Sequence, residues 1–382
     1  MSNTGQRTNE GEDSIISKMK NGMNRRDFLY TAGLAGAAVA AAPILSACAS
    51  ETPEAASLLG PKRKMVYNSP FIAPWEFPII VGARDFCTLA GWDFVHTGVS
   101  EYSIEIRLRT ISESVALQPD MLITNLNDPA LGPPLIEALE KGMKVMIEDG
   151  GDVPYMTEVG LPFMVGDGFS TGKKYARATC ALVESRLGKT KGTILVGDNN
   201  PGIEPVAGRI RGIEAAVPEY NERNGTNFTT LVFPDDYYSG VEANYARYES
   251  VWTTEKDKAV ALITTGTAPG LSAYWRDLNF TAENRPIVSA TFDATEADYT
   301  DVKAGYFDFL TYTNYYGFGW LTAAFGWQWL ERGFPPENIL VGGEIIFAKD
   351  AAASQTREKI WQDKGVEYGL AIGLTEEEFL AQ

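Results

Sequence analysis

Histidine and cysteine are nearly missing from this sequence. Its 382 residues include one histidine, His96, and three cysteines, Cys48, Cys87 and Cys180. These four residues are scattered along the chain and form no cysteine and histidine cluster at zinc-ligand spacing, and three cysteines cannot all pair within one chain. A Gly-x-Gly-x-x-Gly turn, a phosphate-binding loop and a calcium-loop spacing of acidic residues are also missing. We therefore expect no metal, nucleotide or other cofactor.

Basic residues are in short supply as well. The chain has 33 lysines and arginines against 50 acidic residues, which gives a formal net charge of −17. Such a chain is repelled by phosphate backbones, so we expect no nucleic-acid partner. Acidity of this kind is more often a solubility feature than a sign of a binding site.

The first fifty residues have the character of an export signal. Arg25 and Arg26 precede an Ala/Gly-rich, weakly apolar run at residues 30–47, which contains Pro43 and ends in Leu-Ser-Ala before Cys48. A run of this length could also be a transmembrane anchor, but its weak hydropathy and its end in small residues argue against that. Paired arginines before such a run are the signal of the twin-arginine export system. The box Leu-Ser-Ala-Cys resembles the cleavage site of bacterial lipoproteins.

That resemblance implies a mature chain that begins at a lipid-modified Cys48. Residues 1–47 are then a signal peptide, handled by the twin-arginine translocase and the lipoprotein-processing enzymes, and residues 48–61 form a flexible tether. We expect the protein in the periplasm or at the cell exterior, anchored to the membrane by this lipid.

From residue 64 onward, short apolar runs alternate with segments of helical spacing. Helices are predicted at residues 77–90 and 170–187, and Cys87 and Cys180 fall on their apolar faces, where we expect small buried side chains. Nine apolar runs are predicted to be buried strands: residues 65–67, 94–95, 121–123, 145–147, 163–165, 193–196, 231–233, 259–263 and 287–292.

This alternation predicts an α/β fold whose parallel sheets are covered by helices on both faces. The number of strands exceeds one comfortable sheet, so we expect two similar Rossmann-like lobes. Ligands of such folds bind outside the carboxyl ends of the strands. Polar residues follow most of the predicted strands: Asn68, Asn125, Asp149, Asp198, Asp236, Thr264, Thr265, Asp293, Thr313 and Asn314.

The chemistry of these strand ends suits an uncharged ligand with many hydroxyl groups. Carboxylates and amides form paired hydrogen bonds with neighbouring hydroxyls, and a buried partner left unmatched costs about 1–3 kcal/mol. Nearby aromatic rings, including Phe71, Trp75, Tyr237 and Phe292, can cover the apolar face of a sugar. Any one strand-end Asp or Asn is explained as well by capping of the next helix or turn. Their recurrence favours a binding site.

Five stretches make the pattern more specific. They are Val165-Gly166-Asp167, the Arg-x-Arg-Gly order within Gly208–Ile213, Asp235-Asp236-Tyr237, Phe292-Asp293, and Thr313-Asn314-Tyr315. Together they resemble the periplasmic-binding proteins of the ribose/galactose type, which are the substrate-binding components of sugar ABC transporters, over residues 62–348. The resemblance implies a monomeric receptor with the type I fold, which closes by hinge bending and delivers its ligand to an ABC permease and its ATPase.

The resemblance also implies boundaries and roles. Residues 62–165 and 314–341 would form the N-terminal lobe, and residues 166–313 and 342–382 the C-terminal lobe, with a three-stranded hinge between them. The implied ligand-binding residues are Asn68, Phe71, Trp75, Asn125, Asp149, Arg211, Tyr237, Gly266, Phe292, Asp293 and Thr313. Among these, Asp149, Arg211 and Asp293 would bind hydroxyls, and Tyr237 and Phe292 would stack on the ring. Which of Phe71, Trp75 and Phe77 is the first-lobe aromatic stays open.

Three positions depart from the family pattern. Gly150 stands where an arginine often follows the first-lobe aspartate, Gly266 stands where many members have asparagine, and Thr313 replaces a glutamine. The identity of the sugar therefore does not follow from the resemblance. Because two of these residues are glycines, we expect extra space in the pocket and a ligand that is bulkier or less polar.

An enzyme is the main competing interpretation. Gly168-Phe169-Ser170-Thr171-Gly172 matches the Gly-x-Ser-x-Gly elbow of α/β-hydrolases. A hydrolase of that fold needs a histidine after the serine, whereas His96 precedes it. Ser170 and Thr171 are better explained as the cap of the following helix. We predict that the protein is not an enzyme.

Binding proteins with a different role or a different ligand also fit these residues. A sensory receptor that reports occupancy to a signalling partner would have the same pocket as a transport receptor. A nucleoside or an amino acid could replace the sugar, and an amine would require an unpaired carboxylate. Residues 353–382 extend beyond the usual end of the family and have no assigned role.

Overall fold

Two sheets of mainly parallel strands form the frame of the chain. A computed structural model describes residues 59–70, 74–98, 103–235 and 239–367. The strands within these ranges are β1 (Lys64–Asn68), β2 (Asp93–Thr97), β3 (Met121–Leu126), β4 (Lys144–Gly151), β5 (Phe163–Gly166), β6 (Lys191–Asp198), β7 (Asn227–Pro234), β8 (Ala259–Thr264), β9 (Val288–Phe292), β10 (Phe309–Tyr312), β11 (Ile339–Val341) and β12 (Glu344–Phe347).

Helices connect most of these strands. They are α1 (Phe77–Ala90), α2 (Ile104–Ala116), α3 (Gly132–Glu140), α4 (Val153–Val159), α5 (Gly168–Leu187), α6 (Glu204–Asn224), α7 (Val241–Glu255), α8 (Pro269–Asp277), α9 (Glu296–Ala304), α10 (Tyr315–Arg332) and α11 (Ala348–Glu367), with 3₁₀ turns at Pro74–Glu76 and Pro129–Leu131. No helix in the described ranges is long and apolar enough to cross a membrane.

Each sheet has six strands and belongs to one lobe. The first sheet has the order β11-β5-β4-β3-β1-β2, and the second has the order β12-β10-β9-β8-β6-β7. All pairings are parallel except that of β12, which runs antiparallel to β10. The predicted α/β fold with two lobes is confirmed.

The buried strands follow directly from the apolar runs. Strands β3, β8 and β9 are buried along their whole length, as expected when helices cover both faces of a parallel sheet. All nine predicted strands are present. Strands β10, β11 and β12, of three or four residues each, were not predicted.

Helix α1 has the predicted bounds and ends at Gly91, whose φ of 68° suits a residue without Cβ. Helix α5 begins at Gly168, because the Asp167 carboxylate accepts the amide of Ser170 at 2.9 Å and caps the helix. The predicted cap at Ser170 and Thr171 is therefore wrong: both residues lie in the first turn. As predicted, Cys87 and Cys180 are buried, and both are free thiols.

The chain passes between the two sheets three times. The passages follow β5, follow β10, and connect β11 to β12 through Gly342 and Gly343. The sequence predicts the three segments of a hinge at these places, and the hinge motion stays a prediction.

Helix α11 reaches from one lobe to the other. Near its start, Ala351 is fully buried in the core of the second lobe, and Gln355 donates a hydrogen bond to Thr300 on α9. Further along, the ring of Trp361 stacks on Tyr316 of α10, with centroids 4.9 Å apart and planes at 6°. The extension to which the sequence analysis gave no role thus contacts both lobes beside the crossing segments.

Glycines let the helices of each lobe approach closely. Between α5 and α6, a Cβ added at Gly172 would collide with the carbonyl oxygen of Arg209, and one at Gly212 would collide with that of Phe169. Between α1 and α10, Gly82 and Gly319 are placed in the same reciprocal way. Because protein interiors are close-packed, neither pair of helices has room for a methyl group at these contacts.

We expect Gly212→Ala to destabilise the protein by about 1–3 kcal/mol, because the added methyl group forces α5 and α6 apart. Gly208→Ala, on the same helix, is the matched control: its Cβ would lie 3.6 Å from the nearest atom. That change should be neutral or stabilise the helix by up to about 1 kcal/mol. Urea unfolding measures the free energy of unfolding of both variants. Equal stabilities would contradict the close approach of α5 and α6.

Candidate functional site

A cavity lies between the carboxyl ends of the two sheets. Its volume is about 80 Å³, enough for several water molecules. The first lobe lines it with Trp75, Asn127, Asp149 and Tyr315, and the second lobe with Asn199, Asn200, Ile203, Pro205, Val206, Arg209, Thr267 and Asp293. A smaller cavity of about 20 Å³ shares Asp149, Pro205 and Arg209 and extends to the crossing segments.

Two aspartates face the cavity from opposite lobes in the left-handed backbone conformation. Asp149, near the end of β4, has a φ of 55°, and Asp293, directly after β9, has a φ of 67°. The register between β3 and β4 shifts beside Asp149, between Thr124 and Leu126. Left-handed residues other than glycine cost of order 1–3 kcal/mol and cluster at ligand sites, where the surrounding structure enforces them. Both aspartates were predicted from their strand ends.

Arg209 and Asp293 form the charged centre of the second-lobe wall. The guanidinium of Arg209 lies 3.4 Å from the Asp293 carboxylate and 4.0 Å above the ring of Phe292, and it donates to the carbonyl of Thr265 at 2.6 Å. Tyr315, at the start of α10, donates its hydroxyl to Asp293 at 2.6 Å. Asp293 is therefore fixed by donors from both lobes.

The structure places Arg209, rather than the predicted Arg211, at the cavity. Successive helical residues are about 100° apart, so two arginines separated by one residue point to different faces of α6. The Arg211 side chain is 54% exposed and pairs with Glu204. Val206 lines the cavity three residues before Arg209. Residues three apart lie on the same face of a helix, so the apolar Val206 could have indicated from the sequence that Arg209, and not Arg211, points inward.

The predicted contacts Asn68 and Asn125 lie beneath the cavity instead of lining it. Both are fully buried, and their side-chain oxygens accept hydrogen bonds from Arg107, at 2.7 Å and 3.1 Å respectively. A buried guanidinium requires such acceptors, so these two amides hold Arg107 inside the first lobe.

The extra space expected at Gly150 and Gly266 is already filled. A Cβ at Gly150 would lie 2.5 Å from the side-chain oxygen of Asn127, and a Cβ at Gly266 would collide with Asn199. Both asparagines line the cavity, although the sequence analysis named neither. The expectation of a roomier, less polar pocket is corrected: each glycine makes room for an amide from the neighbouring strand end.

The remaining predicted residues divide into three groups. Trp75 lines the main cavity, with its ring 6.0 Å from that of Tyr315, whereas Phe77 is buried in the core of the first lobe. Phe292 and Thr313 line the smaller cavity, and the ring of Phe292 lies under Arg209. A third group lies outside the described ranges: Arg25, Arg26, Cys48, Phe71, Asp236 and Tyr237.

A buried acidic group lies behind Asp149. The hydroxyl of Tyr67 is 2.9 Å from a carboxyl oxygen of Glu76 and 2.7 Å from one of Glu148, and all three residues are fully buried. Tyr67 has one proton to donate, so the second contact requires a carboxyl group that keeps its own proton.

Burial disfavours the charged forms of these carboxyl groups. It raises the pKa of Glu76 to about 8, and it raises the pKa of Glu148 well above its ordinary value. Burial is also the main reason that the pKa of Asp149 rises to about 7, with the charge of Arg209 acting against it. At neutral pH, the first-lobe wall is therefore close to taking up or losing a proton.

The histidine that a hydrolase would require is bound to a serine outside the hydrolase-like motif. His96, the sole histidine of the sequence, lies on the first sheet, where its Nε2 is 2.9 Å from the hydroxyl of Ser69. Within the described part of the chain, no group of three or more histidine, cysteine, aspartate or glutamate side chains could hold a metal ion.

We expect the protein to lose stability between pH 6.5 and pH 8. A carboxyl group whose pKa is raised on folding stabilises the folded state at low pH and loses this contribution as the pH rises toward the folded pKa. In Glu76→Gln, the fall in the free energy of unfolding between these two pH values should be smaller by roughly 1–2 kcal/mol. Urea unfolding at both pH values tests this. Glu137→Gln, on the exposed face of α3, is the control, and the dependence of its unfolding free energy on pH should equal that of the wild type. If Glu76→Gln also kept the wild-type dependence, the protonation of the buried carboxyl groups would be refuted.

Comparison with known proteins agrees with this architecture. A family model, the periplasmic binding protein domain, matches residues 66–333. No curated protein sequence matches the chain.

Solved structures share the fold at low sequence identity. A solute-binding protein of an ABC transporter from Burkholderia graminis, crystallised with D-arabinose, has a TM-score of 0.66 and 14% identity over 78% of this chain and 98% of its own. A periplasmic ribose ABC transporter protein from Conexibacter woesei has a TM-score of 0.63 and 21% identity over 77% and 95%. A carbohydrate transporter protein from Acidothermus cellulolyticus, in complex with myo-inositol, has a TM-score of 0.63 and 14% identity over 79% and 100%. Because the family model matches most of the chain, the protein belongs to the periplasmic binding protein domain family.

Proposed function

We propose that this protein is an extracytoplasmic solute-binding receptor that captures a small polyhydroxylated ligand, a monosaccharide or related polyol, and delivers it to an ABC importer. The observation that carries the proposal is the cavity between the carboxyl ends of the two sheets, which polar side chains of both lobes line. Three solved structures of similar fold support it. Two are complexes with D-arabinose or myo-inositol, and the third is a periplasmic ribose ABC transporter protein. In this proposal the protein binds its ligand without transforming it.

The polar groups of the cavity suit hydroxyl recognition. Asp149, Asp293 and Asn199 present oxygen acceptors, and the amides of Asn127 and Asn199 present donors. Trp75 supplies an aromatic face against which the C–H groups of a sugar ring can pack. A ligand without the matching hydroxyls would leave buried partners unsatisfied, which provides selectivity.

Closure is proposed to occur about the three crossing segments, with residues 62–165 and 314–341 moving against residues 166–313 and 342–382. The lobes already touch beside the cavity, since a Cβ at Gly150 would lie 3.1 Å from Pro205 on α6. A ligand that contacts both walls shifts the population toward this closed form. The permease would then recognise the closed form.

A thermal-shift screen of the full chain with pentoses, hexoses, polyols, nucleosides and amino acids tests the function. A ligand that binds only the folded state raises its stability by RT ln(1 + [L]/Kd), so we expect a higher Tm with at least one sugar or polyol. A rise with nucleosides or amino acids alone, or no rise at all, would contradict the proposal.

The two arginines of α6 make a matched pair of variants. We expect Arg209→Gln to weaken binding of the ligand found in the screen by about 10-fold to 100-fold, because it removes a charged hydrogen-bond donor from the cavity wall, and a hydrogen bond to a charged group is worth about 1.5–3 kcal/mol. Arg211→Gln should leave affinity within about twofold, since an exposed ion pair contributes little. Titration calorimetry measures both, and the reverse order would reinstate Arg211 as the ligand contact.

We also propose that the chain is exported through the twin-arginine system and anchored by a lipid on Cys48. The motifs at Arg25, Arg26 and Cys48 support this. Cys48→Ala should abolish the incorporation of labelled fatty acid, and Arg25→Lys combined with Arg26→Lys should block export. Cys87→Ala is the control that keeps the lipid. Label retained in Cys48→Ala would rule out this anchor.

A further inference from the structure

We propose that the ligand carries a protonated amine beside its hydroxyl groups, and that Asp149 binds this ammonium group. The inference rests on the proposed function, because it concerns the ligand of the same cavity, and it narrows the substrate class to amino sugars and similar hydroxylated monocations.

The first observation is that the two cavity aspartates differ in their hydrogen-bond and ion-pair partners. Asp293 receives a hydrogen bond from Tyr315 and an ion pair from Arg209. Asp149 also lines the cavity, yet among the described residues no group donates a hydrogen bond to its carboxylate and no cation forms an ion pair with it. The protein thus provides partners for the carboxylate of Asp293, whereas the carboxylate of Asp149 is available to the ligand.

The second observation is that, among the described residues that line the cavity, Arg209 is the one cation, and its charge is shared between Asp293 and Asp149. Arg209 is engaged by Asp293, the Thr265 carbonyl and the Phe292 ring, and Arg107 is held beneath the cavity by amide and hydroxyl oxygens. The cavity lining contains no lysine or histidine among the described residues. The sequence of the three internal segments outside the description, residues 71–73, 99–102 and 236–238, has no lysine, arginine or histidine either.

The surroundings of Asp149 make this imbalance costly. Glu76 and Glu148 lie behind it, Asp293 and Arg209 face it from the second lobe, and Asp167 lines the adjoining small cavity. An ionised carboxylate in such a site is unfavourable unless a cation pairs with it. A neutral sugar leaves that charge unpaired, whereas an ammonium group forms a charge-assisted hydrogen bond with it.

The remaining cavity wall fits the rest of such a ligand. The rings of Trp75 and Tyr315 lie on the same wall as Asp149 and favour a cation beside their faces. Asn127 also lines this wall, and its side-chain nitrogen can donate to a hydroxyl oxygen of the ligand. The wall therefore combines one cation site with a hydroxyl site.

Matched sugars test the inference by titration calorimetry of the full chain at pH 7.5 and low ionic strength. The set is D-glucose, D-glucosamine and N-acetyl-D-glucosamine, with the same three derivatives of D-galactose. We expect at least one amine to bind about 10-fold or more tightly than both of its neutral counterparts, because only the free amine carries the charge.

Asp149→Asn should reduce that preference to less than about threefold. Asparagine has the same shape and tolerates the positive φ of this position. Asp257→Asn, in an exposed turn, removes the same charge elsewhere and should leave the preference intact. In the wild type, affinity for the amine should fall from pH 7.5 to pH 5.5, because the pKa of Asp149 is raised to about 7 and protonation removes its charge.

The outcomes of these titrations separate the two proposals. If neutral sugars bind as tightly as the amines, the ammonium site is refuted while the sugar receptor stands. If the amine preference persists in Asp149→Asn, Asp149 is not the site. If none of these sugars binds, and no other sugar or polyol does so in the thermal screen, the proposed function fails together with the inference. The wild-type comparison decides the amine question even if Asp149→Asn does not fold.

Discussion

Charge buried between two lobes is the constraint on which the rest of this structure depends. Asp149, Asp293 and Arg209 face one cavity, and the interior penalises each charge that lacks a partner. Asp293 and Arg209 meet the requirement together, with Tyr315 as a further donor. Asp149 does not, and it lies against Glu76 and Glu148. The first-lobe wall therefore holds protons at neutral pH or binds a cation.

The fold provides the rigid walls that this constraint requires. Strands of both sheets end at the cavity, so their last residues present side chains toward the other lobe. On the second lobe, the glycine contact between α5 and α6 places the backbone of Arg209 against Gly172, and this fixes where the arginine enters the cavity. Helix α11 adds a contact to both lobes beside the crossing segments. The proposed closure would therefore have to accommodate the contacts of this helix with both lobes.

Much of the architecture could be predicted from local patterns. The apolar runs gave strands β1 to β9, and the pattern of residues 77–90 gave α1 with its glycine end, because burial of a strand or of one helix face requires a fixed spacing of apolar residues. Strands β11 and β12, which were missed, are partly buried strands at the edges of their sheets. Strand β10 was missed as well, although it is buried. Asp149 and Asp293, which line the cavity, could be named from the sequence because each comes shortly after a recognisable apolar run.

The sequence by itself determined which strands end in carboxylates and amides, since that depends only on neighbours along the chain. Tertiary structure alone decided which of them line the cavity. Asn68 and Asn125 accept hydrogen bonds from Arg107 of α2. Asn127 and Asn199 fill the space over two glycines. Arg209, and not Arg211, lines the cavity because of the way α6 packs on α5. Each of these outcomes depends on an element distant in sequence, because partners of buried polar groups are chosen by packing in space.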